Sequence, residues 1–210
     1  MADGQTVVVV GGGAIGLCAA YFLRLVGTDV TVLEKNRCGS GASHGNAGWI
    51  VPSLSAPMPA PGLTYQTLKW VGRANSPVYI RPRLDAQFIT WMWRFWRACS
   101  QQAHDAGLGA LARLNNSSME LFDQLADDGV VFRMYRSGLV FAFLEEDSAL
   151  AELSHLQTLR PYGMEVPDHV LTGDALRKIE PALAQAVHSG FFLDTERHVD
   201  PRSLMGGLVA

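Results

Sequence analysis

Apolar and polar residues alternate between two periods along this chain. Val7–Val10, opened by Thr6, is an unbroken β-branched run closed by glycine, which reads as a strand buried on both faces. Ala14 to Val26 reads as a helix, and Asp29 to Leu33 as a second strand ending at Glu34. Far downstream, Phe88, Trp91, Met92, Phe95, Trp96 and Cys99 recur at three- and four-residue steps, predicting a helix from about Leu84 to Gln102. A second helix is predicted from Leu108 to Asp127, with Leu111, Leu114, Met119, Phe122 and Leu125 facing inward. Val130–Arg136 and Leu139–Leu144 are β-rich and separated by Ser137-Gly138, which predicts a hairpin. Asp147 caps a predicted helix to Leu159, and Asp174–Ile179 is a short helix stopped by Glu180-Pro181. Gly190–Leu193 reads as a strand, and Asp200-Pro201 as the N-cap and first position of a helix running to Ala210.

The junction of the first strand and helix carries chemistry. Gly11, Gly13 and Gly16 stand in G-x-G-x-x-G spacing within Gly11-Gly12-Gly13-Ala14-Ile15-Gly16. The first glycine serves a tight turn, the second lets backbone approach a pyrophosphate, and the third lets helix pack on strand. The helix N-terminus offers N–H groups and a positive dipole end to phosphate. Glu34, followed by Lys35, stands where a carboxylate accepts hydrogen bonds from an adenosine ribose. Together these predict dinucleotide binding. The next stretch, Arg37 to Trp49, is too rich in glycine and small residues for a regular element and suits a loop lying against a ligand. A nicotinamide domain would continue with helix and strand, so the expected dinucleotide is FAD.

Composition narrows the class. With 210 residues, 48% of them hydrophobic and 18% charged, the chain is ordinary for a globular enzyme. A net charge of −3 gives no footprint for nucleic acid. No apolar run reaches the ~18 residues that span a bilayer, and the valine run opens a nucleotide fold and not a signal peptide. Cys18, Cys38 and Cys99 lack metal or C-x-x-C spacing and read as free thiols in a reducing cytoplasm. The helix over Phe88–Cys99 is read as core-facing. Its aromatic stripe beside Arg94 and Arg97 keeps open the alternative of peripheral contact with the inner face of the plasma membrane.

Gly41-Ala42-Ser43, Asn46-Ala47-Gly48, Pro52 and the proline-rich Ala56–Gly62 resemble the flavin-dependent D-amino-acid dehydrogenases of the D-amino-acid oxidase and glycine oxidase superfamily. The resemblance continues at Trp91-Met92-Trp93, Gly138-Leu139, Glu180–Leu183 and Asp200-Pro201. It implies oxidation of a D-amino acid or similar small amine by hydride transfer to flavin. An imino acid is then hydrolysed to an oxo acid and ammonia, and electrons pass to a quinone, another carrier or oxygen. It implies cofactor contacts from Ser43, Asn46, Ala47 and Gly48, and a substrate-carboxylate clamp of arginine and tyrosine beyond Ala210. His44 is expected as a loop or cofactor contact and not as a base, while His104, His155, His169, His188 and His198 read as surface residues. Asp127-Asp128 and Glu145-Glu146-Asp147 read as turns and caps, and Tyr65 and Tyr79 as packing or channel residues.

The expected fold class is α/β: a Rossmann-like βαβ FAD domain with an inserted α+β substrate domain of antiparallel sheet and helices. Residues 1–62 form the first part of the FAD domain, 63–199 the substrate or cap domain, and 200–210 the start of a returning helix. Two recognisable parallel strands are few for a doubly covered sheet. The expectation is therefore the N-terminal half of a longer enzyme, with a non-catalytic dinucleotide-binding fragment as the alternative.

Overall fold

The computed structural model describes residues 6–63, 83 and 85–210. Tyr65, Tyr79 and the predicted helix start at Leu84 lie outside the described residues. The chain divides into two compact units. The first comprises Met1–Val51, Ser117–Arg160 and Glu165–Ala210; the second comprises Pro52–Asn116 and Pro161–Met164.

The first unit opens with β1 (Thr6–Val10), α1 (Ala14–Leu25) and β2 (Asp29–Leu33). β1 and β2 pair in parallel with Thr6 opposite Asp29 and Val10 opposite Leu33. These bounds agree with the periodicity, because each strand is a short β-branched run ended by a residue that breaks it. β3 (Trp49–Ile50), β4 (Met134–Tyr135) and β8 (Arg197–Val199) form an antiparallel sheet with β8 in the centre. β5 (Leu139–Phe143), β6 (Leu171–Thr172) and β7 (Ser189–Leu193) form another, with β7 central. The helices of this unit are α4 (Ser118–Asp127), α5 (Glu146–Gln157), α6 (Gly173–Ile179) and α7 (Pro201–Val209).

Two cores hold this unit. Leu17 of α1, Ile50 of β3, Val199 of β8 and Leu204 and Met205 of α7 are buried together, with Phe122, Phe132 and Met134 packed against them. Around β7, Phe191 is fully buried and stacks on Phe141 at 4.6 Å, while Leu153, Leu156 and Leu176 close the helix side. Asp200 caps α7 by accepting from the N–H groups of Arg202 (2.9 Å) and Ser203 (3.3 Å), and Pro201 takes the first turn, as the sequence predicts. Arg133 pairs with the Asp200 carboxylate.

The second unit contains α2 (Ala86–Ala98) and α3 (Gln101–Asn115). Asp85 caps α2 through the Phe88 N–H at 2.8 Å. Ser100 caps α3 through Ala103 at 3.3 Å, so α3 begins seven residues before the predicted Leu108. The single helix predicted over Leu108–Asp127 is two, interrupted at Asn116-Ser117. Leu114, predicted inward, is exposed, and His104, predicted at the surface, is buried beside Leu108 and Ala112 on the face α3 turns inward. The break at Asn116-Ser117 means that Leu114 shares no continuous helical face with Met119, Phe122 and Leu125, and the start at Gln101 brings His104 into the helix on the face of Leu108 and Ala112, which explains both errors.

The predicted hairpin is also absent among the described residues. β4 pairs with β8 and β5 with β7, so Ser137-Gly138 passes the chain from one sheet to another. Asp147 lies inside α5, whose N-cap position is Glu145. β3, β6 and β8 are too short to show a periodicity.

Candidate cofactor-binding site

Between β1 and α1 the backbone turns on Gly11, at φ 108°, and the Gly11 N–H donates to the Leu33 carbonyl at 2.8 Å. Gly16 carries the close packing the fingerprint predicts: a Cβ there would sit 2.0 Å from the Gly11 carbonyl oxygen and 3.3 Å from Val9. At Gly13 a Cβ would meet only the Ser43 hydroxyl, at 3.2 Å, and at Gly11 nothing within 4 Å. The turn therefore presents bare backbone on its open side. Leu17 makes the first intrahelical bond, to Gly13 at 2.9 Å. The Ser43 hydroxyl accepts from the Ala14 N–H at 2.9 Å. The N–H groups of Ile15 and Gly16 are left pointing out of the helix N-terminus, the geometry that receives an anion. Ile15 itself is highly exposed.

Glu34 follows β2 directly. Its Oε2 accepts from the Gly12 N–H at 2.8 Å and its Oε1 from the Asn36 N–H at 2.9 Å. The Gly12 bond, then the Asn36 bond, hold its carboxyl below the usual carboxylate range. Each oxygen keeps a lone pair for a ribose hydroxyl. Lys35 is exposed beside it.

The loop from Gly41 to Gly48 is braced from within. The Asn46 amide donates to the carbonyls of Ala42 and Ser43, both at 3.1 Å, and its Oδ1 accepts from the Gly48 N–H at 2.7 Å. The His44 N–H donates to Gly41 at 3.1 Å. Gly48 has φ +70°, and its Cβ would lie 2.0 Å from the Val199 carbonyl oxygen, so only glycine fits between loop and β8. His44, Asn46 and Ala47 are exposed, and Gly48 is buried. Of the residues marked by sequence, the structure thus brings Gly12 to Glu34 and Gly13 and Ala14 to Ser43.

Sequence reasoning missed the structural duties of Ser43 and Asn46. It also missed Arg202 on the first turn of α7, which faces a cleft of about 690 Å³ together with Arg37, Ser40, His44 and Met205. Asp200-Pro201 fixes the phase of α7, so Arg202 was within reach of the sequence; the 29-residue link from Ser43 to Ala14 was not.

A family profile described as FAD dependent oxidoreductase matches residues 6–210. The chain belongs to this FAD-dependent oxidoreductase family. Solved structures share its fold. Glycine oxidase from Bacillus cereus ATCC 14579 is 21% identical with a TM-score of 0.59, covering 98% of this chain and 42% of that one. L-alpha-glycerophosphate oxidase from Mycoplasma pneumoniae, solved with FAD bound, is 18% identical with a TM-score of 0.61, covering 97% and 41%. L-amino acid deaminase from Proteus myxofaciens is 18% identical with a TM-score of 0.56, covering 100% and 36%. The chain spans less than half the length of these enzymes. The cofactor of the family is FAD, and the bare glycine turn, the exposed N-terminus of α1 and the anchored Glu34 fit its adenosine diphosphate half. Among the described residues no helix is long and apolar enough to cross a membrane.

Proposed function

We propose that this chain supplies the FAD-binding portion of an oxidoreductase that deaminates a D-amino acid or similar small amine to an imino and then an oxo acid. Gly11, Gly12, Gly13, Ala14, Ile15 and Gly16 would hold the pyrophosphate, Glu34 the ribose with Lys35 alongside, and Ser43, His44, Asn46, Ala47 and Gly48 the loop over the cofactor. When bound, FAD supplies the ring that accepts the hydride. The chain's own work is positional. Ser43 fixes the entry of α1, Glu34 fixes the glycine turn, and Asn46 fixes the loop. Residues 63–199 are assigned to the substrate side, and the final acceptor to a quinone, another carrier or oxygen, in the cytoplasm. The carrying observation is the Gly12–Glu34 bond, which joins the two halves of the fingerprint in one arrangement.

Gly13→Val tests the assignment. Its branched side chain would press on Ser43 and fill the approach to the pyrophosphate. The purified variant loses the flavin absorbance that the parent keeps; stoichiometric flavin in the variant would overturn the assignment. A second reading, a dinucleotide-binding fragment without turnover, is favoured by the 42% coverage of the Bacillus glycine oxidase. D-Amino-acid-dependent reduction of a dye distinguishes the two.

A further inference from the structure

We draw no further inference here: the strongest candidate, the cationic cleft between the cofactor loop and α7 lined by Arg37, Ser40, His44 and Arg202, adjoins the cofactor-binding site already described, and nothing in the structure shows what fills it.

Discussion

Glu34 uses one carboxylate for two tasks. Its oxygens tie Gly12 and Asn36, which fixes the glycine turn against the end of β2; their remaining lone pairs face the proposed ribose. These duties separate by experiment. Glu34→Ala frees the turn and so weakens both FAD and FMN, but FAD more, by roughly a further tenfold for the lost ribose bond. Flavin fluorescence titration reads both affinities, and equal weakening would remove Glu34 from the ribose. The carboxyl also titrates predictably. Because the Gly12 and Asn36 bonds depress its folded pKa, its contribution to stability is complete above the ordinary glutamate value of about 4.3. It is lost as pH falls through the lower folded value. In Glu34→Gln, an amide N–H must face one of the two backbone donors. The difference in Tm between parent and Glu34→Gln should therefore be full at neutral pH and shrink on acidification below that value. A constant difference across this range would show that the two bonds do not hold the ionised form.

Gly138 shows why elements were legible and their partners were not. The β-rich runs on either side of Ser137-Gly138 do hold strands, only Met134–Tyr135 of the first and Leu139–Phe143 of the second, but their apolar residues do not say which strand lies beside them. β8, which takes β4 from its expected partner, is three residues long and has no readable period. Where the partners are adjacent in sequence, as in β1, α1 and β2, local pattern and fold agree to within one residue, α1 ending at Leu25 where the pattern predicts Val26. Where an end depends on a single polar side chain, as at Ser100, the pattern blurs across it. The same limit applies to the site. The glycines and Glu34 belong to one continuous motif, whereas Ser43 acts on Ala14 through the fold. Gly138 is more constrained than a hairpin turn requires. It has φ +71°, and a Cβ would fall 2.3 Å from the Phe192 ring and 2.6 Å from the Leu193 carbonyl oxygen. Gly138→Ala therefore meets both a disfavoured backbone and β7 itself. It should destabilise the chain by about 2 kcal/mol or more, measured by urea denaturation. Within 0.5 kcal/mol of the parent, on the order expected for a neutral surface change, the contact between this turn and β7 would be refuted.

At the scale of the whole molecule, the parallel sheet leaves apolar residues exposed. β1 and β2 turn α1 inward on one side, yet Val8 is 54% exposed, Val10 84% and Leu33 55%. Parallel strands in folded proteins are covered on both faces, so these residues call for further covering protein. The enzymes that share this fold are more than twice as long, the Bacillus glycine oxidase matching over 42% of its length. Substrate oxidation needs more than a bound flavin. The Cα hydrogen must be held about 3–3.5 Å from its acceptor, and the clamp for a substrate carboxylate that the family resemblance implies is not among Gly11–Gly16, Glu34 or the 41–48 loop. The 210-residue chain is therefore expected to show no reduction of an artificial electron acceptor with D-alanine, even with excess FAD. It should also bind a hydrophobic dye through the open sheet and aggregate on warming. A polypeptide extended to the length of the solved relatives should retain flavin, lose the dye binding and reduce the acceptor only when a D-amino acid is present. Turnover of D-alanine by the short chain at an enzymatic rate would mean that these 210 residues already contain the substrate clamp.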